Sequence, residues 1–156
     1  MPEGGELYDR DFFLWAQEQA AALRRAKDSK LPSDWENLAE EIEGLGKSGR
    51  RELTSQLRRI LGHLFNLEAS PAPRRWAGWR ARIGDARSET ESVLPDSPSL
   101  RRQIDDLVKE QLKAAAKLAA NDLDEHGEPA ELVRERLRKG GFTAEQVLGD
   151  WFPEPG

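Results

Sequence analysis

The chain predicts an all-α fold, a single-domain helical bundle, and three observations carry that prediction. Apolar residues recur at intervals of three and four over long stretches, the period of an amphipathic helix. Alanine, leucine, glutamate and arginine are abundant while β-branched residues are scarce, and straight-chain side chains lose little rotamer freedom in a helix. Proline pairs, a glycine pair and Ser/Thr caps punctuate the periodic segments. A length of 156 residues fits one domain, with an ordered core expected over about 7–153. Four main helices and one or two short C-terminal ones are expected.

The first helix is expected over Asp9–Ala26, with Phe12, Trp15, Gln19, Ala22 and Leu23 on one face. "SKLPSDWE" resets the chain, and Ser33 with Glu36 has the spacing of a capping box. From Trp35 the apolar positions run through Leu38, Ile42, Leu45, Gly49, Leu53, Leu57, Ile60 and Leu64 to Leu67, the seam of a long second helix. Unbroken, that helix would be roughly 50 Å long at about 1.5 Å per residue. Either a bend at Gly44–Gly49 or an elongated bundle is expected to accommodate it.

"ASPAPRR" ends the second helix, because two prolines in three residues cannot continue it. The third runs from there to about Leu94. Ser97 caps and Pro98 opens a fourth helix to about Leu123. "AELVRERLRK" forms a short helix closed by Gly140 and Gly141. Thr143 and Gln146 form a capping box for a last turn, and "DWFP" brings two aromatics to the C-terminus.

The stretch "PRRWAGWRARIGDAR" poses the functional question, since it carries two tryptophans and five arginines. On a helical wheel Trp76, Trp79, Ile83 and Leu94 form one stripe, and Arg80 and Arg87 fall within about 40° of its centre. Arg74, Arg75 and Arg82 point away from it. A buried guanidinium needs partners. The acidic stretch "SDWENLAEEIEG", with Glu40 and Glu41, offers them, Glu41 standing at the edge of the second helix's seam. An arginine–carboxylate network between the second and third helices is therefore the first expectation, with the tryptophans as packing. The alternative is a pocket lined by Glu40, Glu41, His63, Trp79, Arg80 and Arg87 that takes a small anion or a partner carboxylate.

These residues also carry a family resemblance. The segments "LYDRDFFLWAQEQAAALR", "DWENLAEEIEGLGKSGRRELTSQLRRILGHLF", "WRARIGDAR", "DSPSL" and "VLGDWFP" occur in an order that resembles the bacterial family catalogued as domain of unknown function 29. The resemblance spans about Leu7 to Pro153 and falls on Trp35, Glu40, Glu41, Ile42, His63, Leu64, Trp79, Arg80, Ile83 and Arg87. It departs at Phe65 and Asn66, where a leucine and a basic residue are expected, and in extra glycines around position 46. The resemblance implies an all-α domain of bacterial origin and no assigned activity.

Several chemistries are excluded. There is no cysteine, so disulfides, thiol catalysis and thiolate metal sites are absent. "GLGKSG" ends like a phosphate-binding loop, but Glu41 stands where its first glycine belongs and a helix precedes it. Neither His63 nor His126 has a glutamate three residues before it, as a bundle metal site would want, so no metal or cofactor is expected. His63 reads as a half-buried histidine bonded to a neighbouring helix. No signal-like N-terminus or membrane-length apolar run is present, and a cytoplasmic location is the expectation.

The leading functional expectation is a non-enzymatic binding module that engages a protein partner. Nucleic-acid binding is the alternative, through Arg50, Arg51, Arg58, Arg59, Arg74, Arg75 and Arg82, which would share one outward surface if the second and third helices run antiparallel. The formal charge of −5 opposes any global attraction to nucleic acid.

Overall fold

The structure, a computed structural model, describes residues 3–27 and 33–154. The "SKLP" reset lies outside the described residues, in 28–32. Eight α-helices and no strand occur among the described residues, in agreement with the all-α expectation. The helices are α1 (Glu3–Arg10), α2 (Phe12–Ala26), α3 (Trp35–Ala69), α4 (Pro73–Val93), α5 (Pro98–Arg102), α6 (Ile104–Glu125), α7 (Glu131–Arg138) and α8 (Ala144–Leu148). They form two compact units, residues 1–53 with 92–103 and residues 54–91 with 104–156.

In the first unit the expected opening helix is divided at Asp11. Its carboxylate accepts from Leu14 N at 3.0 Å, so α2 acquires an N-cap of its own. The same carboxylate accepts from Ser99 N at 2.7 Å and Ser99 Oγ at 2.9 Å, at the start of α5. Ser97 in turn accepts from Phe13 N at 3.2 Å. Two helix starts are thus stitched together by three short polar side chains. At the start of α3 the accepting carboxylate is Asp34, toward Asn37 N at 3.4 Å, in place of the Ser33–Glu36 box.

No interruption occurs at Gly44–Gly49, and α3 is one helix of 35 residues. Its early seam differs from the expected one. Leu38 and Leu45 are exposed, while Ala39 and Gly46 are buried. The reason is close packing on α2, for a Cβ added to Gly46 would lie 2.9 Å from that of Ala16. Small residues let the two helix backbones approach, which turns α3 so that Leu38 and Leu45 face out. Arg24 of α2 fastens this pair, 2.5 Å from Glu43 and 3.3 Å from Glu36.

In the second unit the expected seam holds: Leu57, Ile60, Leu64 and Leu67 are buried, joined by Leu61 and Phe65. Trp79, Ile83 and Ala86 of α4 are also buried, as are Leu107, Leu112, Ala115, Ala119 and Leu123 of α6. The fourth helix is expected as one piece but occurs as α5 and α6, separated at Gln103. Gly140 and Gly141 end α7 with φ of 104° and 78°, and the Thr143–Gln146 capping box opens α8. Phe142 packs edge-on to Phe65 and tilted against Trp151, the C-terminal aromatic anchor.

Candidate functional site

Three helices of the second unit each contribute a stripe to one open cleft of about 740 Å³. From α3 come Ser55, Arg58, Arg59, Gly62, His63 and Asn66, spaced by three and four so that they share a face. From α4 come Arg74, Arg75, Gly78, Trp79 and Arg82, and from α6 Leu118, Ala119, Asp122 and His126. Two of the wall positions are glycines, and a Cβ on Gly78 would meet nothing within 4 Å. The missing side chains keep the cleft wide.

Five arginines face one carboxylate, that of Asp122. They are not equivalent. Arg75 is half-buried and committed: it pairs with Asp122 and with Glu128, the latter at 2.7 Å, and its guanidinium lies 4.4 Å from the Trp79 ring centroid. Glu128 also accepts from Ser70 Oγ. Arg58 donates to Gln111 at 3.0 Å. Arg59, Arg74 and Arg82 are exposed and make no ion pair among the described residues. Three charge-bearing forks therefore border the cleft without a counter-ion of the protein's own.

His63 and Asn66 occupy the wall between them. Asn66 is 5% exposed, and its Oδ1 and the His63 Nδ1 are buried without a hydrogen-bond partner. A hydrogen bond from His63 to a neighbouring helix, the expectation from sequence, is thus missing at Nδ1. Burial, reinforced by the Arg82 and Arg59 guanidiniums and opposed by Asp122, pushes the imidazole down to about 4. In neutral His63 the tautomer protonated on Nε2 strands only a lone pair at the buried Nδ1, where the other tautomer would strand an N–H. Opposite, His126 Nδ1 lies 2.8 Å from the Asp122 carbonyl.

The expected arginine–carboxylate network takes a different form. Arg87 is buried as expected, but it donates to three carbonyls, Val147 at 2.8 Å, Gln146 at 2.9 Å and Trp151 at 2.7 Å, in place of Glu41. Carbonyls in the last turn of α8 and in the segment after it supply acceptors without the desolvation cost of a second charge. Arg80 is exposed and lies over Phe152, 5.8 Å from its ring centroid, while Arg87 lies 4.8 Å from the same ring. Glu40 and Glu41 are exposed. Of the six residues expected in that network or pocket, His63 and Trp79 line the cleft and Glu40, Glu41, Arg80 and Arg87 do not.

The nucleic-acid set fares better as geometry. Arg58, Arg59, Arg74, Arg75 and Arg82 come together in the cleft. Arg50 and Arg51 belong to the first unit, where they line a groove with Phe13, Gln17, Lys47 and Gln103. Sequence reasoning missed Asn66, Gly62, Gly78 and Asp122 as wall residues. Their signal was present as three helical stripes rich in polar and small residues, but which helix faces which is not written in any one of them.

The comparison with protein families decides membership. The model for the domain of unknown function DUF29 matches residues 7–152. The chain belongs to that family. The family carries no assigned activity, and no curated protein matches this member. A solved structure, an α-helical protein of unknown function from Rhodospirillum rubrum, is 26% identical, with a TM-score of 0.66 over 94% of this chain and 98% of that one. The DUF29 fold is therefore shared with that bacterial protein. Among the described residues, no described helix is long and apolar enough to cross a membrane, and no three His, Asp or Glu side chains group as a metal site requires.

Proposed function

We propose that this DUF29 protein is a binding module whose arginine-lined cleft holds a small anion. One observation carries the reading: Arg59, Arg74 and Arg82 converge on the same cleft with no ion-pair partner among the described residues. Like charges gathered without counter-ions repel one another and raise the energy of the empty site, and an entering anion relieves that repulsion. The volume of about 740 Å³ is that of a small-molecule site.

A single-stranded nucleic acid is disfavoured as the occupant. Such sites present exposed aromatic rings for bases to stack on. Here Trp79 is 4% exposed and already carries Arg75 on its face. A protein partner has support of another kind, in exposed Tyr8, Leu38 and Leu45 of the first unit, but that surface holds no group that specifies an occupant.

Titration with phosphate and sulfate at low salt, followed by melting temperature, tests the reading. The transition should rise with either anion, and Arg59→Ala and Arg82→Ala should each abolish most of the rise. An unmoved transition at high millimolar anion would sink the proposal.

A further inference from the structure

We propose that the cleft's ligand is a phosphomonoester whose organic body carries a hydroxyl or amino donor, a class that includes sugar phosphates and nucleoside monophosphates. This rests on the anion-binding reading above and specifies the occupant.

The head group follows from the donors. Arg59, Arg74 and Arg82 each present a planar fork of N–H groups and a full positive charge, and none is spent on the protein's own carboxylates among the described residues. A carboxylate has two oxygens and one charge, enough for a single fork. A terminal phosphate has three free oxygens and close to two charges, so it can engage two or three forks together. A phosphodiester offers only two free oxygens and one charge per group. His63 adds a neutral Nε2 donor to the same wall, and Arg58, though bonded to Gln111 through Nε, keeps its charge at the rim.

The organic body follows from the remaining walls. Asn66 Oδ1 is an acceptor without a donor, in a side chain 5% exposed. Sulfate cannot satisfy it, because every oxygen of that anion is an acceptor, and hydrogen phosphate has a single P–OH to offer, on the same small group that the arginine forks engage. A hydroxyl or amino group on the organic body can satisfy it. Leu118, Ala119, Gly62 and Gly78 provide apolar and open wall for the carbon skeleton. Leu118 is 57% exposed, an apolar surface left facing solvent beside the arginines.

Calorimetric titration of the full chain with inorganic phosphate, ribose 5-phosphate, adenosine monophosphate, ribose and an oligothymidylate of about 12 nucleotides tests the assignment. Both monoesters should bind about tenfold or more tightly than inorganic phosphate, with ribose inert. Preference for one monoester over the other identifies which body the wall fits. Asn66→Leu should bring the monoesters down to the level of inorganic phosphate while leaving the affinity for sulfate unchanged. Gly78→Leu, on a position with open space around it, should fold and lose every anion. Equal affinity for inorganic phosphate and monoesters would overturn the phosphomonoester assignment and leave the anion site standing. Tightest binding by the oligonucleotide, falling linearly with log salt concentration, would do the same. Binding of none of the phosphorylated probes would overturn both.

Discussion

The Arg87 guanidinium donates to the carbonyl of Trp151 at 2.7 Å, across 64 positions of sequence. It also holds Val147 and Gln146 by their carbonyls, so one side chain of α4 ties down residues 146–151. Phe152 lies against the same guanidinium.

Removing that fork should therefore loosen the C-terminus and the unit together. Arg87→Met is expected to cost about 3 kcal/mol, since hydrogen bonds to a charged group are worth about 1.5–3 kcal/mol each and the carbonyls would be left dry. Arg87→Lys should not rescue it, because a single ammonium cannot reproduce the fork. Urea denaturation reads the result; a loss under about 1 kcal/mol would mean that water satisfies the carbonyls.

The glycines of α3 should respond with opposite signs. Gly46→Ala forces a Cβ to 2.9 Å from that of Ala16 and should cost about 1–3 kcal/mol. Gly44→Ala and Gly49→Ala meet nothing within 4 Å and should each stabilise by about 0.5–1 kcal/mol, the helix propensity difference. Thermal melts of the three variants decide it. The same sign at all three positions would remove the close α2–α3 packing as the explanation.

Asp11 serves two helix starts, so its loss should exceed that of an ordinary cap. Asp11→Ala is expected to cost about 2–3 kcal/mol, where a cap alone costs about 1 kcal/mol. Ser99→Ala removes one of the three bonds and should cost less. If the two variants prove equal in denaturant, the bonds from Leu14 N and Ser99 N contribute nothing.

The buried imidazole makes stability depend on pH. His63 titrates near its ordinary value of 6.5 in the unfolded chain and at about 4 in the folded one. Between these values the unfolded chain holds a proton that the folded chain does not. Stability is therefore complete above about pH 6.5 and falls as pH drops toward 4. The size should be about 1–2 kcal/mol, reduced from the full linkage value because the ring is partly in contact with solvent. His63→Gln should flatten this part of the profile in denaturant titrations between pH 4 and 7. A bound phosphate would flatten it as well, by favouring the charged ring. An unchanged slope in the variant would place the acid sensitivity elsewhere. Glu43 acts lower in pH: Lys47 and Arg24 hold it at about 2, so its contribution is lost only below about 4.5.

The sequence by itself determined the helical class, most helix ends and the seam from Leu53 to Leu67. These follow from periodicity, capping chemistry and the φ restrictions of glycine and proline, all of which act within a few residues along the chain. It also marked Arg87 as buried, because the wheel places it nearer the centre of the apolar stripe than Arg80. Only the tertiary structure decided what Arg87 binds, that Arg80 faces solvent, and that α3 turns Leu38 and Leu45 outward on account of Gly46 against Ala16. The cleft belongs to the same class of decisions. Each of its three stripes is written in the sequence as an ordinary polar helix face. Their convergence depends on which helices pack together, and side-chain spacing on a single helix carries no information about that.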